Sequence, residues 1–591
     1  MAIPNHIIQF ILEEILNQVI DLNHFNYYFR RYTLISKQWN KEIIVKLRIF
    51  KPIRIHFSVD DATITNWIEM AKKYAIDYQI KVVKAVPIDC RWLEMLKDKV
   101  IDITKKDISS GDNCILDTYP QLKNLNFNMN TEGYISTLTK LNKRSEDITN
   151  YSVTINGEYS VDNERLQVTT PQVIDALFNQ NIFNSISVVC SNIMSPISPR
   201  LPTGHQCSNL TSFFLCKLII SHQALSTILD LSTHLQEITI EEIDISPVTT
   251  FDWVLEKLVK LESLSDIKLD IEFSTNFDAI ISFLNKTKSA IVFVTFRKIL
   301  YLSAEQVLSA QVDNGYIQDF YFMVMDGFFP FIEQFSDYTL LPRWKHKSNL
   351  KKVSFFEYYK GFDNEVEGMT NLEFLYIKLF DNFKEQKLTQ NSLDRIFEFN
   401  LKVLTKLGII YTRTTTLTDN VVVRPDKLLL NRYLKSLCLS STTWKDYSLI
   451  LGCKHPTIVE MTINYLTLKP GDNFEDLIVI LKENNTLTRV QIHSANFQQL
   501  DESDPNRLFN TVYFSIEILK TNRSLVELTL PSFGHFKSHF VSKYDKVLSR
   551  NHIIRQVCIQ HTFPGMALEK QKIRSDLIDV FNKYSIRYRY G

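Results

Sequence analysis

In the stretch His455–Leu468, HPTIVEMTINYLTL, the apolar residues Ile458, Met461, Ile463, Leu466 and Leu468 fall at steps of three, two, three and two. A helix repeats at three and four and a strand at two, so neither alone explains the rhythm. The same spacing, an apolar residue at positions 1, 4, 6, 9 and 11, returns in Leu487, Val490, Ile492, Ala495 and Phe497. It returns again from Leu235 (Ile238, Ile240, Ile243, Ile245) and from Leu210 (Phe213, Leu215, Leu218, Ile220). Shorter matches start at Leu122, Phe183, Leu264, Ile291, Ile317, Leu350, Leu372, Leu404, Leu434, Leu525 and Ile554. Between them FEDLIVILKENNT, VYFSIEILKTNRS, HQALSTILDLSTH and FDWVLEKLVKLES carry apolar residues at helical spacing, and a polar turn follows each helix. The pattern predicts an α/β fold of strand-plus-helix units. No unit buries its apolar face alone, so neighbours stack into one continuous core. Positions 1, 4 and 6 point inward between the strand and helix layers, and positions 5 and 7 point out along the strand face.

This spacing resembles that of the leucine-rich repeat proteins, and helix-bearing units of this length look like the ribonuclease-inhibitor type. The resemblance covers about Leu122 to Ile559 and implies a horseshoe solenoid with parallel strands on its concave face and helices outside. One departure stands out. The family places Asn or Cys at position 9, whereas here Asn130 fits and Leu218, Ile243, Thr442, Leu466 and Ala495 stand elsewhere. Turns less regular than the family's are therefore expected.

Residues 1–50 lack the repeat. Pro4 opens a segment in which Ile7, Ile8, Ile11, Leu12 and Ile15 form a broad apolar helical stripe. A second segment ends in LISKQWNKEI. The pair resembles an F-box, with Ile3-Pro4 in place of its Leu-Pro and Leu34, Ile35, Lys37 and Trp39 as its closing motif. Ile for Leu, and a longer interval between the two motifs, depart from that pattern. The expected organisation is an all-α F-box-like module over 1–50, degenerate first repeats or a junction over 51–120, the solenoid over 121–565, and a capping helix within 566–591 carrying Leu577, Ile578, Val580 and Phe581. The resemblance implies that Ile3, Pro4, Ile7, Ile8, Ile11, Leu12, Ile15 and Trp39 dock a Skp1-type linker protein and, through it, a cullin scaffold. A target protein would bind the concave face. There the outward row gathers Tyr321, Met323, Phe356 and Tyr376 at its centre, with polar or charged flanks, as interface centres and rims do. The other reading makes the N-terminal helices a cap on a stand-alone scaffold or regulator, for example of a small GTPase. A GTPase activator needs an exposed, positioned arginine, and the sequence singles none out.

Composition removes other classes. Lys+Arg 67 against Asp+Glu 66 in 591 residues gives a net charge of +1, which offers no general field for nucleic acid or anionic membrane. The 14 glycines form no phosphate-binding loop, and no nucleophile-elbow or HExxH motif is present. The eight cysteines include no CxxC pair, as suits a reducing compartment. His535 and His539 stand four apart with no third ligand nearby, and read as surface histidines of an inter-repeat loop. Asp61 reads as a helix N-cap, and Phe328–Phe335 as core filling. The basic run Arg343–Lys352 is a weak nucleic-acid signal. Glu13 and Glu14 interrupt the first apolar run, which also lacks a basic start, so it is no signal peptide. The expectation is a non-enzymatic interaction protein without cofactor or metal, binding neither nucleic acid nor membrane. Its expected address is the cytoplasm, with the nucleus left open.

Overall fold

The computed structural model describes residues 4–18, 21–56, 61–83, 95–105, 119–129, 150–157, 183–190, 209–246, 250–300, 304–324, 341–355, 362–379, 390–411, 423–468, 475–497, 511–531, 539–559 and 575–589, a few single positions apart. The chain divides into two compact units, Met1–Ser289 with Val294–Tyr301, and Ala290–Phe293 with Leu302–Gly591. Each unit is a one-dimensional stack of strands.

In the first unit the strands are β1 (Ile53–His56), β2 (Ile80–Val83), β3 (Val100–Lys105), β4 (Asn124–Met129), β5 (Asn150–Gly157), β6 (Ser185–Cys190), β7 (Ser212–Cys216), β8 (Ile219–Ser221), β9 (Glu237–Glu241), β10 (Asp244–Ser246) and β11 (Asp266–Asn276). β1 to β7, β9 and β11 pair in chain order as one parallel sheet, and β8 pairs with β10 in a small second sheet. β12 (Ile291–Leu300) is divided between the units. The second unit holds β13 (Asp319–Val324), β14 (Lys352–Phe355), β15 (Phe374–Leu379), β16 (Lys406–Tyr411), β17 (Ser436–Thr443), β18 (Glu460–Leu468), β19 (Arg489–Phe497), β20 (Glu527–Leu530), β21 (Gln556–Ile559) and β22 (Arg587–Arg589). These also pair in chain order, every one parallel to the next. The architecture is α/β, parallel strands and helices stacked in chain order, consistent with the solenoid expected from the repeat spacing.

The sequence rhythm explains the register. Position 1 lies two residues ahead of its strand and is buried, as at Leu235, Leu434 and Leu487, and positions 4 and 6 follow it inward. The position-2 carbonyl then stitches each repeat to the next. Lys435 O accepts from the N–H groups of Val459 and Glu460 at 2.9 and 3.1 Å, and Val459 O from those of Thr488 and Arg489 at 2.8 and 3.0 Å. Helices His222–Leu231, Asp252–Lys260, Asp476–Glu483 and Thr511–Thr521 stand where the periodicity places them.

Three details differ from the sequence reading. The repeat assigned to Ile291 begins two residues earlier. Its inward residues are Ser289, Val292 and Val294, all buried, with the Ser289 hydroxyl donating to Leu264 O at 2.8 Å. A search that accepts only apolar residues at position 1 passes over a serine that satisfies itself. β5 fell outside the matches, and β1 to β3 make full rungs of the sheet out of the degenerate segment 51–120. At the other end Leu577 and Phe581 are buried in a helix over 575–581, but Ile578 is exposed, and β22 follows that helix and extends the sheet.

The missing position-9 asparagine has a replacement. Three residues before position 1, in the turn from helix to strand, stand the buried Asn314, Asn431, Asn484, Asn522 and Asn551. Asn522 Oδ1 accepts from the N–H groups of Ser524 and Leu525 at 2.8 Å each, while its Nδ2 donates to Leu481 O and Asn484 O of the preceding repeat. Asn551 does the same one repeat on, donating to Leu519 O at 2.8 Å and Asn522 O at 3.4 Å. Each amide closes its own turn and ties it to the one before, so backbone groups removed from water keep their partners. His455 fills the same place between Asn431 and Asn484. Its Nε2 lies 3.0 Å from Leu428 O, and its Nδ1 lies 3.3 Å from the N–H groups of both Thr457 and Ile458. Only the neutral ring with a proton on Nε2 makes all three bonds.

Candidate protein-interaction surfaces

The first helix, Asn5–Gln18, has apolar residues on more than one face. Gln9, Glu13 and Asn17, four residues apart, share one face and grip the backbone of residues 46–51. Gln9 Nε2 donates to Lys46 O at 2.9 Å, Glu13 Oε1 accepts from Arg48 N–H at 2.8 Å, and Asn17 Oδ1 accepts from Phe50 N–H at 2.8 Å. Asn5 adds a bond from its Nδ2 to Glu42 in the third helix, Lys37–Glu42. Leu12 and Leu16 turn into the core and the polar residues hold the flanking backbone, while Ile7, Phe10, Ile11 and Ile15 are left exposed, Phe10 by 61%. Of the expected docking stripe, Leu12 is instead buried beside Leu16, Ile8 is half-buried, and Pro4 is exposed with its carbonyl accepting from Ile7 and Ile8 N–H. Ile3 lies outside the described residues. Trp39 is half-buried in the third helix, where its N–H bonds the Ser36 cap, while Leu34 and Ile35 of the same motif are 83% and 51% exposed.

These helices are not walled off at residue 50. In the second helix, Leu22–Thr33, Phe25 and Phe29 meet the edge of Trp67 at ring distances of 4.9 and 5.6 Å, and Trp67 meets Tyr78 at 5.2 Å. Trp67 lies in helix Asp61–Lys73, between β1 and β2, so the second helix and the first repeat share one core. Asp61 is the first residue of that helix rather than the residue before it.

On the second unit the outward positions 3 and 5 form two continuous rungs. Position 5 runs Tyr321, Ser354, Tyr376, Gly408, Cys438, Thr462, Gln491, Thr529 and Cys558. Position 3 runs Asp319, Lys352, Phe374, Lys406, Ser436, Glu460, Arg489, Glu527 and Gln556. The β13–β16 end is aromatic. Tyr321 packs against Phe293 at 5.7 Å, and Tyr376 meets Phe374 edge-on at 4.4 Å. The Tyr376 ring closes on Gly408, for a Cβ added there would stand 2.1 Å from Cδ1 and Cε1 of that ring. Burial raises the phenol pKa above its ordinary value. Tyr321 and Tyr376 flank Ser354 on one rung. Met323 lies on β13, and Phe356 falls outside the described residues.

The other end of the face is polar and self-satisfied. Arg489 bridges Glu460 at 3.0 Å and Glu527 at 2.7 Å, and Gln491 and Gln556 each donate to Glu527 at 2.7 Å. On the first unit Arg297 is gripped by Asp270 at 3.2 Å, Glu272 at 2.7 Å and Glu242 at 3.5 Å, and the Asp270 hydrogen bond raises its pKa. Neither arginine projects free, as an activating finger would. Part of the basic run Arg343–Lys352 is likewise tied to carboxylates: Lys345 and His346 meet Asp313, Lys347 meets Glu365, and Lys352 meets Asp319.

Among the described residues no group of three or more His, Cys, Asp or Glu is placed to hold a metal, and no helix is long and apolar enough to cross a membrane. His539 opens helix His539–Leu548, and His535 and Phe328–Phe335 lie outside the described residues. Cys216, Cys438, Cys453 and Cys558 are in no disulfide, and burial is the main cause holding the first three thiols above their usual pKa.

Sequence reasoning missed both the polar grip of the first helix and the Tyr376–Gly408 contact. The first was visible as Gln9, Glu13 and Asn17 at helical spacing, and the second as a lone glycine at an outward strand position. No family model and no curated protein matches the chain. Among solved structures it is similar to the crystal structure of a TLR13–ssRNA13 complex, at 11% identity and a TM-score of 0.35, covering 87% of this chain and 73% of that one.

Proposed function

We propose that the chain is a non-catalytic adaptor, the substrate-recognition subunit of a Skp1–cullin–F-box-type ubiquitin ligase. In this reading the N-terminal helices dock the linker protein and the strand face of the repeats holds the target. The observation that carries it is the first helix. A helix that buries Leu12 and Leu16 and still leaves Ile7, Phe10, Ile11 and Ile15 in water is suited to meet another protein, because contiguous apolar exposure is otherwise a liability. Leu34 and Ile35, between the second and third helices ahead of Trp39, are exposed as well. The aromatic end of the second unit's strand face has the composition of an interface centre. A cytoplasmic or nuclear address and a protein target belong to the same proposal. Affinity capture with the full chain tests it: Skp1-type and cullin proteins co-purify if the reading is right, and a folded chain that captures neither contradicts it.

A further inference from the structure

Because β16 to β21 are all parallel, the turns that enter them share one border of the second unit's sheet. These turns are residues 400–405, 429–435, 454–459, 484–488, 522–526 and 551–555. Backbone bonds hold them side by side. Thr405 O accepts from Lys435 N–H at 2.8 Å and Lys435 O from Val459 N–H at 2.9 Å, and the series continues through Thr488 and Val526 to Arg555. Every residue of the six turns is described and none is Asp or Glu, while Lys402, Arg432, Lys435, Lys454, Arg523 and Arg555 are cations. Lys454 is paired with Glu483 at 3.0 Å. Lys402, Arg432, Lys435 and Arg523 are exposed and make no ion pair among the described residues. The flanking carboxylates are engaged: Glu398 by Lys427, and Glu460 and Glu527 by Arg489. Glu373, exposed in the turn before β15, bounds the basic stretch. The whole chain's net charge of +1 averages this segregation away. Apolar side chains stand among the cations. Leu429 and Leu430 are adjacent and 41% and 46% exposed, and Val403, Tyr433 and Val459 on the same and neighbouring turns are exposed too.

We infer that this border of the second unit docks on an anionic phospholipid bilayer, with Leu429, Leu430 and Tyr433 entering the headgroup boundary and Lys402, Arg432, Lys435 and Arg523 on headgroup phosphates. Charge complementarity requires an anionic partner, and the side chains choose among the anionic ones. A nucleic acid would use the cations and leave the leucines in water. An extended polypeptide gains much of its hold from backbone bonds, and here the backbone groups that enter the strands are already spent between one turn and the next. A lipid surface needs no backbone partner. It takes aliphatic and aromatic side chains at the acyl boundary and cations at the headgroups, with the lysine and arginine stems lying along the interface. Each cation near such a surface adds to the attraction, so four on neighbouring turns act together. The inference goes beyond the adaptor reading and stands or falls separately from it.

The test mixes the full chain with vesicles of phosphatidylcholine alone, or with about 30 mol% phosphatidylserine, and reads binding by co-sedimentation. Binding to the anionic vesicles should exceed binding to the neutral ones by at least about tenfold in about 0.1 M salt, and fall steeply by about 0.5 M. Arg432→Glu with Lys435→Glu should weaken it by at least about tenfold, and so should Leu429→Ser with Leu430→Ser, each with an unchanged melting transition. Where either pair shifts that transition, Lys402→Glu with Arg523→Glu, on two other turns, takes its place. Ile7→Asp with Ile11→Asp controls for the exposed apolar first helix, and that variant should bind vesicles as the unmodified chain does. Soluble polyglutamate and a single-stranded oligonucleotide, at matched charge, should bind at least about tenfold more weakly than the anionic vesicles, since neither takes up the leucines. Equal binding to both vesicle types, undiminished binding of the border variants, or loss with the Ile7 and Ile11 changes each overturns the inference. Binding of either soluble polyanion as strong as that of the vesicles also overturns it, because the border then serves an acidic polymer.

Discussion

Single side chains close the turns of this protein, and their chemistry sets what each turn tolerates. Asn522 makes four bonds to backbone groups that have no water to turn to. Asn522→Ala should cost about 2–4 kcal/mol in urea unfolding, more than an ordinary surface change, because it orphans buried donors and acceptors. His455 performs the same task with a titratable ring, and burial lowers its pKa from 6.5. The folded state favours the neutral ring, so the unfolded chain binds more protons as pH falls. The stability His455 contributes is therefore complete above about pH 6.5 and is lost as pH drops through its lower folded value. His455→Asn supplies one amide donor and one carbonyl acceptor that do not titrate. It should flatten the fall in melting temperature between pH 7.5 and 5.5 relative to the unmodified chain; equal falls in both would show that the ring does not carry the dependence. The polar turns were plain in the sequence as NNT and TNRS, but their role was not. A turn asparagine reads as a loop residue until a neighbouring repeat is seen to offer its carbonyls.

At the scale of elements, periodicity located the strands of the second unit within the sequence, because a parallel strand buried on one face must repeat at two and its helix at three and four. It failed where the rule it used was too narrow, as at Ser289, and it passed over β5 although Ile148, Tyr151 and Val153 carry the 1, 4, 6 spacing there. The first helix shows a different limit. Ile7, Ile8, Ile11, Leu12 and Ile15 are all apolar, and spacing cannot tell which of them face a partner and which the chain's own core. The structure sorts them by the polar positions between. Leu16→Ala, fully buried, should destabilise the first unit by about 2–5 kcal/mol, whereas Ile11→Ala should change its unfolding by less than about 0.5 kcal/mol. Similar losses for both would mean that the helix has no outward apolar face. The boundary drawn at residue 50 was not legible, since Phe25, Phe29 and Trp67 meet only once the chain has folded.

For the whole molecule, each unit is a stack whose inside is fixed by a repeated pattern and whose outside varies from rung to rung. Repetition made the fold readable, and variation carries the function. The aromatic end of the strand face was expected from Tyr321 and Tyr376, but the Gly408 beside Tyr376 became visible only through register. The central claim, that one surface binds a linker protein while the repeats fold independently of it, is tested most directly by an Ile7→Asp, Ile11→Asp double variant of the full chain. Capture of a purified Skp1-type protein and thermal unfolding are measured on the same sample. The account predicts that capture falls by at least about a hundredfold, the loss of two buried anchors in an interface, while the melting temperature stays within a few degrees of the unmodified chain. Undiminished capture, or a loss of capture that tracks a collapse of the melting transition, would contradict it.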